Sequence, residues 1–458
     1  MGIIILLIIF LLLIFNISLV RDKLSRVFLS IYICWWALLL IISTFNPYGL
    51  YAVSDNTYLV LVLNVSIFSF GFILSGPKQR ASKNNNIDAI YRFIHSFESL
   101  LKNKIFKIIL LLFTIVLGYY FIRYNSVIKN YGLVNVRTIR YYVGYLFGST
   151  IEVLFYNYFI EGSSYFIIFA VAFSIVWGRI NNIVFYLLIL SFFFYSALGA
   201  GRTASIDVVL NIVFLVIIKK IISPKNPLSQ NSFPLRFQHI NKRRRYYIVL
   251  ALIAFYGLAV YLTSFRTGLT EISVENFVIG NDVLTQQIIV YCTGPFRALD
   301  YAITNLQGTF GFHYGRLTFA AFDELIGYFF RYLGVDYPVM NHLMGSFISG
   351  SIQIGYNQSF NALYTCIFSF YFDFGIIGVI LLPFLYGFLF RRIIVNFEYE
   401  HTLTNLFILI VVSVTTINSV FTWKYGAPAL ILILCGASVV SHPKLSKRKR
   451  LEGSIVEI

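Results

Sequence analysis

The chain has 458 residues, of which 58% are hydrophobic, 18% aromatic and only 12% charged, with a formal net charge of +17. Soluble domains carry roughly a quarter charged residues, so an ordinary soluble domain is excluded. The basic residues lie between apolar runs rather than on a segment of their own. They read as a topology signal facing an anionic leaflet, not as a nucleic-acid interface.

Runs long enough to form spanning helices, which need about 20 mainly apolar residues, fall near 2–20, 27–45, 57–75, 106–122, 163–178, 182–199, 204–218, 247–264, 360–390, 405–421 and 426–441. The expectation is an all-α polytopic membrane protein with about eleven transmembrane helices. Residues 2–20 follow no basic stretch and end at no small-residue cleavage site, so they read as a retained first helix. Arg21, Lys23 and Arg26 come next and place the N-terminus outside. Strict alternation then puts the 78–107 cluster, Arg179, the 219–245 stretch with Lys242 and Arg243–Arg245, Arg391-Arg392 and the tail Lys447–Arg450 in the cytoplasm. That arrangement gathers 26 of the 36 basic residues on one side and leaves the C-terminus cytoplasmic.

Residues 141–160 are apolar enough for a further span, but counting them as one would turn Arg243–Arg245 outward. They are read as an interfacial or re-entrant segment before the fifth helix. The run 360–390 is too long for one upright helix, and Asp373, Gly375 and Gly378 predict a tilt or kink. Four regions follow: helices one to eight over 1–263, a large external loop over 264–358, helices nine to eleven over 359–441, and a basic tail over 442–458. Within the loop, 284–306 and 317–333 read as short helices lying on the membrane surface.

Ten basic residues remain outside, and eight are arginines: Arg123, Arg137, Arg140, Arg202, Arg266, Arg297, Arg316 and Arg331. The planar guanidinium grips phosphate with two parallel hydrogen bonds and keeps its charge when partly desolvated. A phosphate-bearing anionic substrate at the outer membrane boundary is the expectation. The competing reading is snorkelling to headgroups, or pairing with Asp300, Asp323, Glu324 and Asp336. Arg202 stands in the short turn Gly199-Ala-Gly-Arg-Thr203, and its competing partner is Asp207 one helical turn on.

His313 and His342 are the external histidines, and either could take a proton from a hydroxyl. Asp282, Asp300, Asp323, Glu324 and Asp336 share that possibility. Asp373 lies at membrane depth, as a functional carboxylate or as the cap of a helix break. Cys34, Cys292, Cys366 and Cys435 form no CxxC pair, and no DxD, no metal-ligand spacing and no GxxxxGK[ST] loop occurs. Metal-dependent nucleotide-sugar chemistry and ATP coupling are not expected, and no cofactor or metal is assigned.

The Gly199–Thr203 turn, the segment Tyr291-Cys-Thr-Gly-Pro-Phe-Arg-Ala-Leu-Asp300, the stretch Asn361…Asp373-Phe-Gly375…Gly378…Gly387 and the hydropathy plan together resemble the Wzy-type O-antigen and capsule polymerases, the bacterial oligosaccharide repeat-unit polymerases. The likeness spans most of the chain. The Arg-x10-Gly spacings Arg137/Gly148, Arg297/Gly308 and Arg316/Gly327 also match patterns of that family. The resemblance implies a multi-pass protein of the bacterial cytoplasmic (inner) membrane. It implies transfer of a growing glycan from undecaprenyl diphosphate to a hydroxyl of an incoming lipid-linked repeat unit. A flippase and a chain-length regulator of the same pathway are the implied partners, with membrane lipids and no nucleic acid.

Residue by residue, Arg202, Arg297, His313 and Asp300 are the expected catalytic set. Arg137, Arg140, Arg266, Arg316, Arg331, Tyr291 and Asp373 are the expected substrate contacts. A diphosphate leaves readily, so fixed positive charge and one proton acceptor suffice. External aromatics, Tyr131, Tyr141, Tyr142, Tyr291, Tyr301, Phe310, Phe312 and Tyr314, suit stacking on sugars and equally a membrane-interface belt. An O-antigen ligase and a lipid-linked oligosaccharide flippase are the alternatives.

Overall fold

The computed structural model describes residues 2–76, 86–139, 144–177, 182–198, 203–222, 273–306, 311–340, 351–361 and 363–441, with single positions 257, 260, 308 and 343. The described chain is mostly helical. Five of its helices are long and apolar enough to cross a membrane: Lys23–Thr44 (α2), Asp55–Leu74 (α3), α5 (Lys104–Ile139), Thr150–Trp177 (α6) and Cys366–Tyr399 (α11). Gly2–Leu19 (α1), Asn182–Leu198 (α7), Thr203–Ile222 (α8), Leu403–Asn418 (α12) and Pro428–Ser441 (α13) complete the apolar set. Ten of the eleven expected runs thus fall on helices, and the run 247–264 lies outside the described residues apart from positions 257 and 260. Asn86–Lys102 (α4), Val274–Asn305 (α9) and Ala320–Tyr332 (α10) are the remaining named helices.

Local chemistry starts several of these helices. Asp22, Ser54 and Ser273 each accept a backbone N–H from three residues on, capping α2, α3 and α9. Residues 150–160 run through a π-helical turn straight into Glu161–Trp177. From Thr150 on, the 141–160 segment expected to lie in the interface before the fifth helix is therefore that helix's own first turns, because no breaker separates the two; residues 141–143 lie outside the described residues.

Contacts sort the helix ends into two groups. At one end, Arg391 donates to the carbonyls of Phe72 and Ile73 and pairs with Asp22 at 3.1 Å, while Lys219 donates to the Val176 carbonyl. There α4 packs Phe97 on Phe173 and Phe93 on Phe397. The opposite end collects residues 43–57, 293–300, 313–319, 351–361, 366–373 and 418–427.

The tightest seam is α3 against α11. A Cβ on Gly387 would fall 2.1 Å from the Phe68 carbonyl oxygen, and one on Gly71 would fall 2.1 Å from that of Phe384. Only glycine lets these backbones approach, as small residues do where membrane helices associate without a hydrophobic drive. Phe68, Phe72 and Phe390 fill the space alongside.

Two details go beyond the expected plan. The mostly helical chain fits the all-α expectation and adds one small antiparallel hairpin, Ser351–Gly355 (β1) with Gln358–Asn361 (β2), turned at Asn357 with φ +55°. Its first strand also bridges Leu50, with Tyr51 N–H donating to the Ile354 carbonyl and Tyr356 N–H to that of Gly49. The boundary drawn at 358/359 therefore cuts a strand, and α11 begins only at Cys366. Likewise 284–306 is not a short helix. It belongs to a single 32-residue helix, α9. The kink expected in 360–390 is present at Gly375, with φ +61° and ψ −143°.

Candidate functional site

The connection between α2 and α3 is stitched to α9. Arg297, one turn before Asp300 on that helix, is only 4% exposed. Its Nε–H donates to the Tyr51 carbonyl at 2.7 Å. One terminal nitrogen reaches Ser43 Oγ and the Thr293 carbonyl, and the other reaches the Ser43 carbonyl and Asn46 Oδ1. All five guanidinium donors are thereby used inside the protein. Burial pulls its pKa down to about 10, so it stays charged near neutrality. The residue expected to hold a phosphate instead organises the 43–51 turn, where Asn46 and Tyr48 adopt positive φ.

Asp300 continues the seam. Its Oδ1 accepts Ser54 Oγ at 2.5 Å and Thr57 Oγ1 at 2.7 Å, the two hydroxyls at the start of α3. No donor among the described residues reaches Oδ2. The result is an oriented carboxylate whose second oxygen meets no donor among the described residues. Tyr291, two turns earlier on α9, is exposed and packs edge-on against Phe360 of the hairpin.

A second constellation forms where α11 breaks. Asp373 is fully buried, and its carboxylate accepts the N–H groups of Leu317 (3.0 Å) and Thr318 (2.6 Å). The main chain before the break accepts from the other side of the same turn: His313 N–H to the Phe372 carbonyl and Tyr314 N–H to that of Asp373. The carboxylate thus caps a neighbouring turn rather than its own helix. Tyr314, at φ +51°, is held there 80% exposed. His313 Nε2 is screened from solvent and meets no hydrogen-bond partner among the described residues. Burial lowers the His313 pKa, opposed by nearby Asp373 and assisted by Arg316, so the imidazole is neutral near pH 7.

Among the described residues, Arg123, Arg297, Arg316 and Arg331 have separate partners and do not converge. Arg316 donates to Asp323 Oδ1 at 2.8 Å and to the Pro338 carbonyl, and lies over the Tyr337 ring. Asp323 also accepts Tyr337 Oη and Met340 N–H. Burial alone would raise that carboxyl, but these partners hold it below the usual range. Arg123 pairs with Glu152 at 3.2 Å. Arg331 is exposed over the Tyr328 ring. The side chain of Arg137, together with Arg140, Arg202, Arg266, His342, Tyr141, Tyr142 and Phe310, lies outside the described residues.

Asp207, the competing partner for Arg202, is engaged elsewhere. Its carboxylate accepts Lys424 Nζ at 3.0 Å and Asn418 Nδ2 at 2.9 Å. Lys424 escaped the sequence reading, although it is one of the two lysines that the charge alternation leaves outside and stands in the polar break between α12 and α13. The adjoining Trp423 donates to the Thr318 carbonyl and so ties this loop to the Asp373-capped turn. Among the described residues no three His, Cys, Asp or Glu side chains gather around a metal position. No family model, curated protein or solved structure matches this chain.

Proposed function

We propose that this chain is a membrane glycosyltransferase that polymerises undecaprenyl-diphosphate-linked oligosaccharide repeat units at the outer face of the bacterial cytoplasmic membrane. Eleven spans with the N-terminus outside and the C-terminus inside belong to this proposal, and they put the Asp300 end of the bundle outside. The observation that carries it is the Asp300 carboxylate, aimed by two hydroxyls and meeting no donor at its second oxygen among the described residues.

In the proposed step the acceptor hydroxyl oxygen attacks the anomeric carbon of the donor glycan. The bond from that carbon to the diphosphate oxygen breaks, and undecaprenyl diphosphate leaves with the electron pair. The hydroxyl proton passes to Asp300 Oδ2. Arg297 acts at one remove by fixing the turn that carries Ser54. The leaving diphosphate is assigned to Arg331 and to Arg137, Arg140, Arg202 and Arg266. His313 is the alternative proton acceptor, and Tyr291 and Tyr314 are assigned to sugar faces.

Purified protein in lipid discs, given only lipid-linked repeat units, should build a ladder of longer chains. No ladder, but transfer to a lipid A core or protein, would make it a ligase. The pair of buried Asp207 with half-buried Lys424 favours a second reading, a transporter of the same lipid-linked units, because charges held among apolar helices mark transport paths. Vesicles that move labelled units across the bilayer and form no ladder would establish that reading.

A further inference from the structure

Helix α10 is built inside out for a helix in water. Its inner face carries Ala320, Ala321, Gly327 and the paired Asp323, all buried. Its outer face carries Phe322, Ile326, Phe329 and Leu333, between 45% and 61% exposed. That spacing of four, three and four residues makes one continuous apolar stripe along a helix. The Arg316–Asp323–Tyr337 network locks the small-residue face inward, so the stripe cannot turn toward the protein. The surrounding medium must therefore be apolar.

The neighbours say which medium that is. Helix α10 packs on the Lys424–Gly426 turn and on the start of α13, an apolar helix whose Leu432 is exposed. It meets α6 through Tyr158 and Tyr328, ring centres 6.4 Å apart, one residue from the exposed Phe159. The stripe thus continues the apolar surface of two bundle helices at the level where they end. Near its C-terminus Arg331 lies over the Tyr328 ring with its charge accessible, the composition of a membrane–water boundary.

We infer that α10 is embedded in the leaflet at this end of the bundle, its stripe among acyl chains and Arg331 at the headgroup phosphates. The Asp373-capped turn 313–319 leads directly into this helix, so the embedded helix sets that turn at headgroup depth. This placement does not depend on the proposed reaction and is read without any activity assay.

The test is tryptophan quenching in discs of phosphatidylcholine and phosphatidylglycerol with or without brominated acyl chains. Emission of Phe329→Trp is read as the difference from the native protein, which holds four tryptophans. Brominated lipid should quench the added tryptophan about two-fold or more, with aqueous iodide ineffective. Tyr356→Trp on the hairpin should respond in the opposite way. If Phe329→Trp fails to fold, Phe322→Trp reports on the same stripe. Iodide quenching without lipid quenching would overturn the inference by showing an aqueous face. Protection from both quenchers that rises with protein density would overturn it by showing a second copy on the stripe.

Discussion

Arg297 and Tyr51, separated by 246 positions in sequence, are joined by a 2.7 Å hydrogen bond from the guanidinium Nε to the main-chain carbonyl. Four more donors of the same side chain hold Ser43, Asn46 and Thr293. Lysine offers three donors on one compact charge and cannot reach all these acceptors. Arg297→Lys should therefore lower stability by on the order of 3 kcal/mol, since buried polar groups lose partners. Thermal unfolding in detergent checks this, and an unshifted transition would remove the organising role.

Asp300→Asn keeps a carbonyl oxygen for Ser54 and Thr57 but removes the free anionic oxygen. If the proposed reaction holds, chain extension should fall about 10²- to 10⁴-fold while the melting temperature stays put. Ser54→Ala and Thr57→Ala, which leave the charge but loosen its aim, should give intermediate losses. Extension rates at equal amounts of folded protein decide the matter; near-native extension by Asp300→Asn would move the proton to His313.

His313 gives the chain a pH dependence of known sign. Burial sets its folded pKa below the unfolded value of about 6.5. As pH falls, the unfolded chain binds the proton first, so stability is complete above about 6.5 and declines as pH drops toward the folded value. Melting temperatures at about pH 5 and about pH 7.5 should differ less in His313→Gln than in the native protein.

The α3–α11 seam should not tolerate a side chain. Gly387→Val puts its Cβ 2.1 Å from the Phe68 carbonyl oxygen, where backbone cannot give way. A loss of about 3 kcal/mol or more is expected, seen as lower folded yield. Gly436→Ala, with nothing within 4 Å of the new Cβ, should be silent in the same size-exclusion assay.

Lys424→Ala should cost about 3–5 kcal/mol, because it leaves the buried Asp207 carboxylate without its cation. Adding Asp207→Asn should recover most of the loss, since Asn418 can still bond to the amide. Thermal unfolding of the two single variants and the double variant closes the cycle. Additive losses would show that the pair does not couple α8 to the α12–α13 loop.

Helices were legible because apolar runs of spanning length have few other solutions, and the break at Gly375 announced itself through Asp373, Gly375 and Gly378. The hairpin was not. Its strands are five and four residues long, and their partner outside the hairpin, Leu50, lies some three hundred positions away. Arg297 looked like a ligand-holding arginine because four of its five acceptors are two carbonyls on the α2–α3 side, a serine hydroxyl and an asparagine, none of which marks a sequence. Lys424 stayed hidden because its anion is 217 positions distant. Asp300 could be named, but its two serine and threonine donors could not.

The stitching of residues 43–57 to α9 and the hairpin also dictates an order of events during synthesis. The acceptors at Ser43, Asn46 and Tyr51 leave the ribosome long before Arg297, Asp300 and Ile354 exist. The first three helices must therefore wait, their connecting turn unfinished, until the chain beyond position 354 has emerged. A polypeptide stopped before Asp300 would insert its early helices yet have no aimed carboxylate, and one stopped before Ile354 would leave the Tyr51 N–H without its acceptor.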